Sequence, residues 1–261
     1  MSGSTISVVT GAASIIGMSI ASELTARGST VVGIDNLPVN GQVAEAINID
    51  ITSNEDVASA AAFVASRYGH VDHLIHVAAV TAHTPQIDLM ADLVNIDLGV
   101  WRRIFEVNVT GALICVQRFV DLLRIAPAPK VLLMGSIQGM VPTVGTGGYG
   151  VSKAALAGLT RQLAAELAGA EIAVNMLSLG PISDGDTSTS QSLKGPTPMG
   201  RFGEPDEVAR AVAAIVYDTF SYMTGAVVPL DGGEHLRPRQ NPVRVLDDAG
   251  RLTGTSDGHG E

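Results

Sequence analysis

Short apolar runs alternate with longer stretches of helical period from the start of the chain almost to its end. TISVVT, STVVGID, AINID, HLIHVA, KVLLMGS, EIAVNMLS and AVVPLD read as strands, and 16–27, 54–67, 99–124, 150–168 and 205–218 between them read as helices. This alternation predicts right-handed crossovers and hence an α/β fold. Residues 1–235 form one doubly wound domain, a parallel sheet of about seven strands with helices on both faces. No Pro/Gly/Ser linker divides it, and no repeat is visible. Residues 236–261 break the pattern with scattered charges and the small-polar finish TGTSDGHGE. They read as a polar tail, either disordered or, through RVLDDAGRL, forming a small hairpin or docking on a neighbouring subunit.

Composition narrows the function classes. Apolar residues make up 46% of the 261, mostly Ala, Val, Ile and Leu, with only 4% aromatic, a mix that suits strands buried on both faces. The formal charge of −10 speaks against a nucleic acid or an anionic membrane as partner, because neutralising phosphates needs clustered Lys and Arg. The single cysteine, Cys115, has no partner within the chain and lies in an apolar helical run, as a core residue in a reducing cytoplasm would. The N-terminal MSGST carries no basic flank or long apolar core, and no apolar run approaches the roughly 18 residues of a membrane span. The expectation is a soluble, cytoplasmic protein.

The first candidate site is VVTGAASIIGMSI, residues 8–20. Strand, glycine turn, helix, second strand and acid follow one another in the order of a dinucleotide site. Gly11 permits the tight turn, Gly17 allows close helix–sheet packing, and the helix starting near Ile16 points free N–H groups at a pyrophosphate. Asp35 ends the second strand, where a carboxylate accepts hydrogen bonds from ribose hydroxyls and repels a 2′-phosphate. No Lys or Arg stands in the turn or just after Asp35, so NAD is favoured over NADP. Ile15 occupies the middle of the turn, and a β-branched residue does not adopt positive φ comfortably.

The second is GGYGVSKAALAGL. Tyr149 and Lys153 are one helical turn apart and share a face. A lysine beside a phenol favours the phenolate, and such a tyrosine can exchange a proton with a carbonyl or alcohol oxygen. Ser136 ends the strand KVLLMGS, at the sheet edge where ligands of parallel sheets bind, and Gln138 two residues on should face the same pocket.

In their joint order these motifs resemble the short-chain dehydrogenase/reductase family over roughly residues 5 to 235. TGAASIIG matches its glycine motif and Asp50-Ile51 its adenine-contacting pair. Asn108 in VNVTG, Ser136, Tyr149 and Lys153 match its catalytic set, and LGPI (179–182) its nicotinamide-side loop. GRFGEPDEVA and TGAVVPLDGG match its last helix and strand. The resemblance implies a Rossmann domain and hydride transfer between nicotinamide carbon 4 and an alcohol or ketone carbon. Tyr149 would be the acid/base and Ser136 would orient the substrate oxygen. Lys153 would bind the nicotinamide ribose and lower the tyrosine pKa, and Asn108 would hold a water connecting Lys153 to solvent. Gly11, Ser14, Ile15, Ile16, Gly17, Asp35, Asp50, Ile51, Ala78, Ala79, Gly180, Pro181 and Ile182, with Tyr149 and Lys153, would contact NAD. Ser136, Gln138 and Tyr149 would contact substrate. The family's packing of the 99–124 and 150–168 helices, and of the late strand AVVPLD, implies a homotetramer, with a dimer next.

The chain departs from the family at Ile15 and at His76-Val77-Ala78-Ala79, where Asn-Asn-Ala-Gly is usual. Leu179 replaces the proline of the Pro-Gly loop, and Asp184 stands about where a threonine is often found. The connection from Asp35 to the third strand leaves little room for a helix. His70, His73 and His76 recur every third residue, yet strand alternation points His73 and His76 to opposite faces, so no metal is expected. The loop between Ile182 and Arg201 is rich in Gly, Ser and Thr, which favours a polar, hydroxylated substrate. Two other readings stay open: an NADPH-dependent 3-oxoacyl-thioester or carbonyl reductase, and a non-catalytic nucleotide-sensing or scaffold protein.

Overall fold

Seven strands make one parallel sheet: β1 (Ile6–Thr10), β2 (Thr30–Asp35), β3 (Glu45–Asn48), β4 (His73–His76), β5 (Lys130–Ser136), β6 (Ala173–Leu179) and β7 (Val227–Leu230). Their spatial order is β3-β2-β1-β4-β5-β6-β7. The structure, a computed structural model, describes residues 4–81, 84, 92–183, 197–217 and 220–236, together with the backbone of 245–246 and 252–253. The strand order reverses between β1 and β4, which opens a crevice at the carboxyl ends of the central strands.

Alternation along each strand sorts its side chains between two cores. Val8, Leu74, Leu133 and Met176 face α2 (Asn54–Tyr68), α4 (Ala112–Leu123) and α5 (Gly147–Leu167). Val9, Ile75, Leu132 and Leu177 face α1 (Ile15–Ala26) and the last described helix, Pro205–Val216. β1 and β5 are buried along their whole length, which is why their sequences run apolar without interruption. Helix ends follow local chemistry. Ser53 caps α2 by accepting from the Asp56 N–H at 3.2 Å, and Gly69 ends it in the left-handed region. Glu204 and Glu207 form a capping box around Pro205.

Two segments bear on the sequence reading. The link from β2 to β3 contains no helix, as its length predicts. The 99–124 stretch, by contrast, is not one helix. α3 (Leu98–Phe105) passes through a π-helical turn, Glu106–Gly111, before α4 begins. The turn is held by Asn108, whose Oδ1 accepts the Val80 N–H at 2.7 Å, a long-range bond that a 3.6-residue period does not reveal.

At the far edge, Met176 and Gly180 donate to the Ala226 and Leu230 carbonyls. The even-numbered residues of β7 therefore face β6, and the nitrogen of Pro229 lies on the open side, where its missing donor breaks no ladder bond. Near the end of the chain, Val245–Leu246 pairs antiparallel with Leu252–Thr253. Asp184 and most of the 183–200 loop fall outside the described residues.

Candidate active site

The turn between β1 and α1 is built for close backbone approach. Gly11 has φ 68°, and a Cβ there would lie 2.5 Å from the Ala78 nitrogen; a Cβ on Gly17 would lie 2.1 Å from the Gly11 carbonyl oxygen. Ser14 braces the turn, donating to the Gly11 carbonyl at 2.7 Å and accepting from the Gly17 N–H at 3.0 Å. The Ile15 and Ile16 amides in the first turn of α1 stay unpaired among the described residues, so two donors remain for an anion. Ile15 itself resolves the difficulty its sequence position raised. It is the first residue of α1, in ordinary helical conformation, with its side chain 41% exposed.

Asp35 reaches back to this turn. One carboxylate oxygen accepts the Ala13 N–H and the other the Leu37 N–H, both at 2.9 Å. Across the crevice, Asp50 accepts the Thr52 N–H at 2.9 Å and its hydroxyl at 2.8 Å, and pairs with Arg103 at 3.2 Å. Burial pulls its pKa up, but the bonds from Thr52 and Arg103 outweigh that and hold the carboxyl below the ordinary range. Ile51 is buried with its Cδ1 over Gly111, so it forms a floor. Ala78 and Ala79 are half-buried. The Gly180-Pro181-Ile182 segment is pinned on both sides. The Gly180 N–H donates to the Leu230 carbonyl, Pro181 accepts the Gly203 N–H, and a Cβ on Gly180 would meet the Asp231 backbone at 2.6 Å.

Ser136, Tyr149 and Lys153 converge at the end of β5. Ser136 caps the 3-10 turn Ile137–Gly139, accepting from the Gln138 N–H at 3.2 Å, and hydrogen-bonds the Tyr149 phenol. Lys153 is buried, donates to the Met134 carbonyl at 2.9 Å, and lies 5.6 Å from the Tyr149 ring centre. Here the electrostatics differ from the sequence reading. Burial raises the phenol pKa, and the Ser136 bond only partly offsets it, while the Lys153 ammonium donates to the Met134 carbonyl. Burial also brings the Lys153 amine down to about 8. Asn108 joins the cluster through structure. Besides Val80, its Nδ2 donates to Ser152 Oγ at 3.0 Å, and Ser152 donates to the Tyr149 carbonyl at 2.7 Å.

His73 and His76 do face opposite sides of the sheet. His73 Nδ1 pairs with Ser7 Oγ and His76 Nδ1 with Thr10 Oγ1, each at 3.0 Å. Burial, and then the charge of Lys153, push His76 down to about 3, so it is neutral at working pH. Sequence reasoning missed Ser152, which ties Asn108 to α5, and Thr146, whose hydroxyl donates to Gln138 Oε1 at 2.9 Å. It also missed Arg103. Ser152 lies between Tyr149 and Lys153 in the motif already quoted; Arg103 carried no local signal.

These features fit a dinucleotide: two glycines that a Cβ would disable, two unpaired amides at a helix start, a carboxylate at the end of β2 and a buried amine beside a phenol. Comparison with known proteins agrees. The family model described as enoyl-(acyl carrier protein) reductase matches residues 11–235. The chain is 30% identical to a cis-4-hydroxycyclohexanecarboxylate dehydrogenase of Sinomonas cyclohexanicum over 243 residues, covering 87% of this chain and 95% of that protein. It is 28% identical to a 3-oxoacyl-(acyl-carrier-protein) reductase of Pseudomonas aeruginosa, covering 88% and 97%. The ligand-free aldohexose dehydrogenase of Thermoplasma acidophilum superposes with a TM-score of 0.82 at 25% identity, covering 91% and 96%. With the glycine cradle and the Ser136, Tyr149 and Lys153 cluster on one sheet edge, the chain is an oxidoreductase that belongs to the short-chain dehydrogenase/reductase family.

Proposed function

We propose that the chain moves a hydride between NAD(H) and a secondary alcohol or ketone of a polar or cyclic small molecule. The observation that carries this is the convergence of Ser136, Tyr149 and Lys153 beside the cradle of Gly11 and Gly17. Bound there, the coenzyme supplies a hydride acceptor or donor at carbon 4 of its nicotinamide ring. Ser136 holds the substrate oxygen. In reduction Tyr149 gives that oxygen its proton, and in oxidation it takes the proton away. The raised phenol pKa keeps Tyr149 protonated at neutral pH, ready to act as the donor. In this reading Lys153 would meet the nicotinamide ribose, and the Ile15 and Ile16 amides would meet the pyrophosphate.

NAD is favoured because Asp35 fixes a negative charge beside the turn and no Lys or Arg lies within 11–17 or 36–44. The substrate named for the Sinomonas relative, a ring alcohol bearing a carboxylate, belongs to the class proposed here. The proposed assembly is a homotetramer, supported by exposed Phe220 and Tyr222 just before β7, and the proposed compartment is the cytoplasm.

The test is parallel titration of NADH and NADPH, read by nicotinamide fluorescence, followed by oxidation of an alcohol panel by the native chain and by Tyr149→Phe. Preferred NADH binding and a 100-fold or greater loss of turnover, on the order typical of a positioned proton donor, support the reading. NADPH preference would move it to a thioester or carbonyl reductase, the activity named for the Pseudomonas relative. Turnover undiminished by the substitution would refute Tyr149 as acid/base.

A further inference from the structure

His76 closes β4 with one ring nitrogen committed and the other unmet. Its Nδ1 pairs with Thr10 Oγ1 at 3.0 Å, and Thr10 lies directly opposite on β1 in the sheet register. That bond turns Nδ1 towards β1 and leaves Nε2 at the outer corner of the ring, on the face that α4 and α5 cover. His76 is 1% exposed, and Nε2 is buried without a hydrogen-bond partner among the described residues. Ser178 Oγ, the other buried side-chain atom in this state, lies two strands away on β6.

A second group with spare capacity stands beside it. The Lys130 N–H donates to the Asp72 carbonyl, so the backbone groups of the even-numbered β5 residues point at β4. The Met134 carbonyl therefore looks out just past His76, whose register partner is Leu133. Lys153 comes down from α5 to that carbonyl and donates to it at 2.9 Å. An ammonium has three donors; the other two have no partner among the described residues, and no carboxylate there pairs with the charge. Burial, and then the Lys153 charge, keep the His76 ring neutral. Tyr149, its ring centre 5.6 Å from Nζ, is the other titratable group facing the amine, while Thr10 of β1, Met134 of β5 and Asn108 of the π turn are neutral. The Asn108 side chain is already taken up by Val80 and Ser152. A buried cation with spare donors thus adjoins a buried imidazole with a spare nitrogen, and leaving either unmet is unfavourable.

We infer that His76 Nε2 and the Lys153 ammonium share one buried water, which makes His76 a positioning residue that fixes the ammonium and keeps it charged. A water suits either tautomer of the ring. It donates to a bare Nε2 or accepts from Nε2–H, and in both cases it accepts from Lys153. The inference rests on the hydride reading only for the work that the fixed ammonium serves.

The chain has three lysines, Lys130, Lys153 and Lys194, so NMR of lysines isotope-labelled at Cε gives three signals, with Lys153 assigned through Lys153→Arg. His76→Asn keeps the Thr10 bond and drops Nε2, whereas His76→Gln places an amide near Nε2 and gives up Thr10. His76→Asn should lower the Lys153 titration midpoint by about one pH unit, as the loss of a hydrogen bond to a charge requires, and His76→Gln should leave it within about 0.3. A midpoint unmoved in His76→Asn, or an equal fall in both variants, overturns the inference. A crystal structure of the native chain tests it without any substitution. A water within hydrogen-bond distance of both Nε2 and Nζ supports it; Nε2 closed on another group, or with no water against it, overturns it. Both readouts are independent of turnover, so a chain that shows the shift yet oxidises no alcohol fails the hydride reading and keeps this one.

Discussion

Acidification should strip stability from this chain through two histidines before its carboxylates take part. His73 is buried against Ser7, Tyr217 and the Val216 backbone, and burial outweighs the opposing pull of Asp72 to bring it down to about 4. His76 is buried on the other face, held by Thr10 and brought to about 3 by burial and then by Lys153. Both titrate near 6.5 in an unfolded chain. Because the folded values are depressed, the unfolded chain takes up protons first. Stability therefore falls as pH drops below about 6.5, levelling off near 4 for His73 and near 3 for His76. Integrated from pH 7 to 4, each contributes a loss of about 3 kcal/mol, and together about 6, comparable with the whole stability of many domains. Asp50 and Asp231 are held below the ordinary carboxylate range, so the stability they contribute is lost only as pH falls further, from about 4 downward. Urea unfolding followed by circular dichroism in half-unit steps from pH 7 to 4.5 should give a slope of about 2–3 kcal/mol per pH unit around pH 5. His76→Asn, which keeps a polar partner for Thr10, should halve that slope. A native slope below about 1 kcal/mol per unit, or one unchanged by the substitution, would refute the reasoning.

Three further outcomes follow from the cradle. Asp35→Ser removes the charge beside the turn and should narrow the NADH-over-NADPH affinity ratio by about tenfold or more, measured by nicotinamide fluorescence. Gly17→Ala drives a Cβ to within 2.1 Å of the Gly11 carbonyl oxygen, a backbone atom that cannot swing aside, so thermal unfolding should show a loss of about 1–3 kcal/mol and coenzyme titration a marked weakening. Ile15→Gly removes an exposed side chain from the first helical position and should leave the NADH Kd within about twofold at a helix penalty of about 1 kcal/mol; a severalfold tightening would mean the isoleucine does crowd the phosphates.

The frame of the molecule was legible because its signals are local. Each strand of the sheet is a short apolar run, the opposed faces of His73 and His76 follow from strand alternation, and the missing helix after Asp35 follows from chain length. The site residues were legible as positions more than as interactions. Asn108 was found by its motif, yet the π turn that presents it depends on the Val80 backbone 28 residues away, and no periodicity encodes that. Tyr149 and Lys153 share a helical face as spacing requires. The rise in the phenol pKa, however, comes from burial, which depends on how the fold packs around the phenol and which helical spacing does not encode. Arg103 reached Asp50 across 53 residues, which only the fold could reveal.

The proline in β7 has a consequence for how the molecule avoids its own copies. An exposed parallel strand offers a row of amides on which another chain can add as an eighth strand, the first step of edge-to-edge aggregation. With the Pro229 nitrogen on that open side, the row is interrupted in the middle of a four-residue strand, leaving the Val227 amide as its one outward donor. A second copy meeting this edge finds the exposed side chains of Phe220 and Tyr222 beside it and no continuous hydrogen-bond ladder to extend.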